Sequence, residues 1–300
     1  MEVVTQVLIM SILIIIGMAL YKIKIIDNSS IKTLSNIVVH IANPAAVFLA
    51  FRLQYSEKLM QRLGYALLLA GVVYIVVIAG ATLFVRNKDR EKQSIERVSA
   101  VLSNCGFMGI PLVRGIFGDE GVFFLAAFIA VNNLVTWTYG VAMISGNASF
   151  KSLLKTVNSP MIYAIFLGFI FYAFKIPIPE VPLSTIELLA GMTMPSAMLA
   201  AGGTIVQADF KKVAKNIKIY YVSIIKLIII PLLLYFVFLS LPRDGLIMSV
   251  HLTACACPTA TLCTVLAIRY DKDGVYASEI FAVATLLSML TIPLIIQLPF

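Results

Sequence analysis

Ten apolar stretches, each about as long as a bilayer is thick, decide what this chain can fold into. They run at about 3–21, 31–51, 63–85, 95–117, 120–145, 160–174, 184–206, 217–241, 245–268 and 275–298, divided by short polar clusters. A helix rises about 1.5 Å per residue and needs roughly 20 residues to cross a hydrocarbon core roughly 30 Å thick. Each stretch is near that length or slightly short, as helices with some tilt allow. Of the 300 residues, 60% are apolar and only 13% charged, against roughly half and a quarter in soluble domains. So much apolar surface must face something other than water, and ten spans leave no length for a sizeable soluble domain. A soluble enzyme and a receptor with a large ectodomain are excluded. The expected fold is an all-α polytopic membrane protein with ten transmembrane helices, multi-pass in the cell (inner or plasma) membrane.

The formal net charge is +8. The basic residues sit between apolar stretches, where they act as topology signals and contacts for anionic membrane lipid, so no nucleic-acid partner is expected. With the loops assigned alternately to two sides, one side collects Lys22, Lys24 and Lys32, the run Arg86 to Arg97, Lys151 and Lys155, Lys211 to Lys218, and Arg269 with Lys272. That side holds 16 basic residues and the other, with Arg52, Lys58, Arg62, Arg114, Lys175 and Arg243, holds 6. Positive charge accumulates on the cytoplasmic face, so both termini are expected outside and the number of spans even. The first stretch, Val7 to Leu20, follows no basic region and has no small-residue cleavage site, so it reads as a retained span. The sequons at Asn28 and Asn147 fall on the cytoplasmic side in this topology and read as chance matches. Cys105, Cys255, Cys257 and Cys263 all lie in apolar stretches, and Cys-Ala-Cys lacks the spacer of a redox or zinc pair. They read as small buried hydrophobes. No cofactor and no metal is expected.

The two halves can be laid over one another. Pro44, in Ile-Ala-Asn-Pro-Ala-Ala, and Pro195, in Met-Thr-Met-Pro-Ser-Ala, are 151 residues apart, and Gly121 and Gly274, each after an acidic turn, are 153 apart. The expected division is a first five-helix repeat at 1–150 and a second at 151–300. Five is odd, so the second copy enters the membrane from the opposite face. Inverted repeats of this kind recur in secondary transporters, because two similar units can exchange conformations around a central site.

The fourth stretch contains Ser103-Asn104-Cys105-Gly106-Phe107-Met108-Gly109-Ile110-Pro111, and the ninth contains Ala254-Cys255-Ala256-Cys257-Pro258-Thr259-Ala260-Thr261. Glycine, asparagine and proline at mid-membrane depth are poor material for continuous helix. Both helices are expected to break there, and backbone freed in a membrane is tolerated only against protein or a watery cavity. Half-helix N-termini offer amide donors and the positive end of the dipole, which suits a carboxylate. The expected substrate is a small organic anion. The alternative is that these residues serve only close packing and a kink.

These two motifs resemble those of the auxin efflux carrier family, with its plant PIN carriers and bacterial and yeast permeases. Asn104 to Leu112 is similar to that family's first crossover, and Ala256 to Thr259 through Ala267-Ile268-Arg269-Tyr270 to its second. The resemblance extends over essentially the whole chain. It implies a scaffold part and a mobile, elevator-like transport part, with helices four and nine crossing as extended strands beside the substrate, and a homodimer. It also implies that Asn104 contacts the substrate carboxylate, that Asn132 lies near the ligand, and that Thr261 lines the pocket. Ser103 stands where the plant carriers have proline, and the long cytoplasmic loop of many plant members is missing. Cys105, Gly106, Pro258, Thr259, Asn43 and Pro44 complete the expected substrate-binding set.

Lys226 is the only basic residue well inside a stretch, and such a charge either attracts an anion, carries a coupling proton or holds a helix end. His40, four residues before Pro44, is expected to bond a backbone carbonyl freed by that proline, with proton coupling as the alternative; His251 reads similarly. Asn133 points about 100° from Asn132 and reads as a bond between helices. Trp137 and Thr138 read as an interfacial anchor and a packing group. No Asp or Glu lies at membrane depth, so a carboxylate relay is hard to build and coupling is open. The reading that follows is a secondary carrier of a small organic anion such as malate, malonate or an aromatic acid like indole-3-acetate, and not an enzyme. A membrane hydrolase using a cysteine with His40 or His251, and a channel-like pore, are the other classes; no catalytic motif supports the first.

Overall fold

A computed structural model describes residues 2–147 and 158–299, leaving aside the side chains of Glu2 and Phe210. Lys151, Lys155, most of the second sequon and the division at 150/151 lie outside the described residues. The helices are α1 (Glu2–Lys22), α2 (Asn28–Ile37), α3 (Asn43–Ala50), α4 (Glu57–Phe84), α5 (Arg90–Val101), α6 (Ile110–Val135), α7 (Val141–Ser145), α8 (Pro160–Ala173), α9 (Glu180–Gly191), α10 (Thr193–Val206), α11 (Phe210–Lys215), α12 (Ile217–Ile224), α13 (Ile230–Phe238), α14 (Gly245–Ala256), α15 (Leu262–Arg269) and α16 (Gly274–Ile296). Among the described residues there is no strand, only one antiparallel bridge between Ser103 and Thr259.

Among the described residues seven helical runs are long and apolar enough to cross a membrane: Val3–Lys22, Asn28–Ala50, Glu57–Phe84, Cys105–Ser145, Glu180–Val206, Ile217–Phe238 and Gly274–Ile296. The stretches expected at 95–117, 160–174 and 245–268 do not appear as whole spans of their own. The first and third are interrupted, and α8 has only 14 residues, about 21 Å of helix. Cys105–Ser145 counts 41 residues, about twice what a bilayer needs, and it is broken at Gly118, whose φ of 66° is left-handed. Glycine adopts that geometry without the Cβ penalty other residues meet.

Proline shapes several of these runs. π-helical turns at Val38–Ala42, Cys105–Gly109 and Ile225–Ile229 end two residues before Pro44, Pro111 and Pro231. Proline lacks an amide proton and its ring crowds the carbonyl one turn back; widening the preceding turn accommodates both defects without ending the helix. A fourth such turn, Thr136–Gly140, has no proline after it.

The helices sort into two packed groups. One joins α1, α2 and α3 to α8, α9 and α10; the other joins α4, α5 and α6 to α12 through α16. α1 and α10 pack backbone against backbone: a Cβ on Gly202 would lie 2.2 Å from the Ile14 carbonyl oxygen, and one on Gly17 2.5 Å from that of Leu199. Small residues permit such an approach, which maximises van der Waals contact where lipid offers no hydrophobic drive. The second group has a denser core, with Phe123, Phe124, Phe128, Phe238 and Phe281 fully buried. The groups meet where α3 and α1 lie against α6, and α1 against α16.

Candidate functional site

α5 stops at Val101 because Leu102 turns extended, with φ −80° and ψ 121°, and α14 stops at Ala256 because Cys257 turns extended before Pro258. Each interruption leaves carbonyls without helical partners, and the two interruptions supply one another. The Asn104 amide donates to the Pro258 carbonyl at 2.8 Å and the Ala260 amide to the Leu102 carbonyl at 3.0 Å. The Ser103 hydroxyl donates to the Ala254 carbonyl and lies 3.4 Å from that of Cys257, while the Thr259 hydroxyl donates to the Ser99 carbonyl at 2.8 Å. A hydroxyl from each break thus closes the end of the opposite half-helix. Thr259 is fully buried and Ser103 nearly so, so both bonds are protected from solvent.

Beyond the first break the chain resumes as the turn Cys105–Gly109, with the Met108 and Gly109 amides on the Asn104 carbonyl. The amides at the start of a resumed helix have no acceptor within it. Two asparagines border them. Asn104 is 4% exposed; Asn43 is 2% exposed and its Oδ1 has no partner among the described residues. The Asn43 Nδ2 lies 3.3 Å from where a Cβ on Gly106 would be, so α3 lies against the break at Gly106 and a side chain there would press on the Asn43 amide. Pro44 sits beside Asn43 in α3, half-buried. Cys105 is buried in the turn, and the Cys257 Sγ lies 3.7 Å from a Cβ built on Gly109. Asn43, Asn104, Cys105, Gly106 and Pro258 therefore come together around the two breaks.

Asn132 is half-buried in α6 and accepts a hydrogen bond from the Tyr74 hydroxyl. Tyr74 is itself buried and packs on Phe128 with ring centroids 5.3 Å apart. Thr261 is half-buried where α15 begins, and its carbonyl accepts from Thr264 at 3.1 Å. Asn133 points away and its amide donates to Ser159 at 3.4 Å, the bond between segments expected of it. Tyr74 was not among the residues the sequence picked out. The repeat carried the signal, since Tyr74 and Lys226 are 152 residues apart, the spacing that relates the two halves.

One of the two histidine readings needs correction, that of His40; His251 bonds backbone carbonyls as expected. His40 is exposed and bonds no backbone carbonyl among the described residues; the π-helical turn Val38–Ala42 relieves the strain before Pro44 instead. His251 is fully buried with its ring nitrogens 2.9 Å from the Ile247 carbonyl and 3.0 Å from that of Ala66, edge-on to Phe128. Among the described residues neither histidine is hydrogen-bonded to a cysteine. Lys226 is 1% exposed, in the turn Ile225–Ile229.

At one end of the second helix group, Arg62 makes a bidentate pair with Asp244 at 2.7 and 3.0 Å, reaches Glu120 at 2.7 Å and stacks on Phe124 at 4.7 Å. Asp244 also caps α14 by accepting from the Ile247 amide at 3.2 Å. Partial burial pushes the Asp244 carboxyl up, but the Arg62 hydrogen bond, the Ile247 amide and the Arg62 charge outweigh it and hold the group below the usual carboxylate range. Among the described residues no group of three or more His, Cys, Asp or Glu side chains is placed to hold a metal ion.

A family described as "Membrane transport protein" matches the chain twice, over residues 2–151 and 147–296. Relatives include an uncharacterized transporter of Methanothermobacter thermautotrophicus, 26% identical over 94% of both chains. Another is the uncharacterized transporter MJ1031 of Methanocaldococcus jannaschii, 27% identical over 96% of both. A third is the uncharacterized transporter YfdV of Escherichia coli K12, 24% identical over 88% of this chain and 87% of the relative. Two matches that together run nearly end to end, and relatives matched over nearly their full length, make the chain a multi-pass membrane protein of the membrane transport protein family, in agreement with the resemblance its two broken-helix motifs carry to the auxin efflux carriers.

Proposed function

We propose that this transporter carries a small organic anion, a carboxylate, across the cell membrane by alternating access. Ten spans form two inverted five-helix repeats, with both termini outside. The helix group containing α4–α6 and α12–α16 moves as an elevator against the group of α1–α3 and α8–α10, carrying the two breaks with it. The substrate carboxylate sits at the start of the resumed helix, on the amides from Cys105 onward and on Asn104 and Asn43, with Asn132 and Thr261 at the margin.

The observation that carries this reading is the pairing of the two breaks beside Asn43 and Asn104. The Asn43 Nδ2 lies beside Gly106, 3.3 Å from where a Cβ there would be, and an amide NH2 is a donor to a carboxylate. Amides and asparagine side chains together form a donor-rich lining, and a helix N-terminus adds the field that favours an anion.

The test is a thermal-shift panel of malate, malonate and indole-3-acetate on the purified wild type and on Asn104→Ala. An acid present at 100 times its Kd stabilises the folded state by about 2.7 kcal/mol. At least one acid is expected to raise the wild-type Tm, and the shift is expected to shrink or vanish in Asn104→Ala while that variant still elutes as the folded protein. Equal shifts in both proteins, or no shift of the wild type with any acid, would overturn the assigned site.

A further inference from the structure

Lys226 occupies a position that no contact so far accounts for. It is 1% exposed within the run Ile217–Phe238, and among the described residues no carboxylate pairs with it. The turn that holds it packs against α4, α5, α14 and α16. Two of these elements, α5 and α14, are the helices that end at the two breaks. Other titratable groups on those elements are engaged elsewhere. Tyr74 on α4 donates to Asn132. Glu96 on α5 accepts from Asn87 and Tyr276, each at 2.7 Å. His251 on α14 has both ring nitrogens on carbonyls. Glu279 on α16 feels the opposite charge of Lys212 and the like charges of Asp273 and Asp209.

An ammonium held away from water and from any carboxylate is strongly disfavoured. It is avoided in two ways: the amine is uncharged, or an anion arrives to pair with it. Resting on the anion-carrier reading, we infer that Lys226 carries the coupling proton of the transport cycle. With the site empty the amine is neutral. As a carboxylate binds at the breaks, the amine nitrogen takes one proton from water on the same face, and the resulting ammonium and the carboxylate balance each other's charge. On the opposite face the carboxylate leaves, the ammonium returns its proton to water, and the empty site comes back neutral. Each cycle moves one anion and one proton in the same direction, and no other reactant is needed. The turn holding Lys226 packs against α5 and α14, the two helices that end at the breaks, which places the charge in the same packed group as the anion.

The test uses the whole chain in proteoliposomes with the membrane potential clamped at zero, labelled malate, malonate and indole-3-acetate in turn, and protein-free vesicles as the baseline. An inward gradient of one pH unit is expected to accumulate the carried acid about tenfold in the wild type, the equivalent of about 1.4 kcal/mol. Lys226→Arg keeps the charge but does not release its proton, and Lys226→Met removes it. Whatever flux either variant retains is expected to follow the acid gradient alone. A measurement without variants stands beside these: acid binding to the wild type in detergent, repeated in buffers of different ionisation enthalpy, is expected to take up about one proton per acid bound. Tenfold accumulation by both variants, a wild type that moves acid without responding to the pH gradient, or binding with no proton uptake would each overturn the assignment while leaving the anion-carrier reading intact. A wild type that moves none of the three acids would overturn that reading itself, and this one with it.

Discussion

Ser103 and Thr259 perform one task from opposite sides. Each sits in one interruption and sends its hydroxyl to the last free carbonyls of the other half-helix, Ala254 for Ser103 and Ser99 for Thr259. Removing either hydroxyl leaves a buried carbonyl without a partner, which costs about 1–3 kcal/mol. Ser103→Ala and Thr259→Val are each expected to lower the Tm in detergent by that equivalent, with no loss of membrane insertion. A variant as stable as the wild type would show that the breaks hold together without these bonds. Asn43, Asn104 and Lys226 were legible in the sequence because a polar residue in an apolar stretch stands out against its neighbours. The direction of a side chain was less legible. His40 lies inside a π-helical turn, and the extra residue per turn rotates everything around it out of the 3.6-residue phase on which a sequence argument depends. Tyr74 passed unnoticed because tyrosine is common in membrane helices; only the 152-residue spacing to Lys226 distinguishes it. The roles of Ser103 and Thr259 required knowing that two segments about 150 residues apart meet.

The two interrupted elements begin alike as well as end alike. Asp89 caps α5 by accepting from the Glu91 and Lys92 amides, and Asp244 caps α14 through the Ile247 amide. Asp244 does more, since Arg62 ties it to α4. Its carboxyl is held below the usual range, so the stability it contributes is present above the ordinary aspartate value of about 3.9. That contribution is lost as the pH falls through the lower value of the folded protein. Asp244→Asn is expected to lower stability at pH 7 by about 1 kcal/mol, a modest figure because the pair is partly solvated. The difference from the wild type is expected to disappear in acid at the low end of that range. Denaturation of both proteins across pH checks this, and a difference that does not change with pH would assign the effect to packing and not to charge. Element positions were largely legible because apolar length and proline placement set them. The shortness of α8 and the break at Gly118 were legible as well, since Lys175 closes the stretch at 160–174 and the acidic turn Asp119-Glu120 divides 95–117 from 120–145; the π-helical turns were not, because widening one turn leaves the apolar pattern unchanged.

At the scale of the whole molecule, the repeated family match over 2–151 and 147–296 agrees with the spacing of Pro44 and Pro195 and of Gly121 and Gly274. The two packed groups each draw helices from both halves of the chain. A division by packing that cuts across a division by sequence is what two interleaved copies produce. The bilayer requirement and the repeat were legible before any coordinates, because hydropathy and spacing carry them directly. The grouping was not, because it depends on which apolar faces meet, and apolar faces in a membrane look alike. The account rests on the claim that one group carries an anion past the other in discrete turnovers. Counterflow in proteoliposomes tests that most directly: vesicles preloaded with unlabelled malate, malonate or indole-3-acetate are given a trace of the same labelled acid outside. The account predicts, for at least one acid, uptake that saturates with external concentration and that the internal unlabelled acid accelerates. Flux that rises linearly without saturation and ignores the internal acid would contradict it.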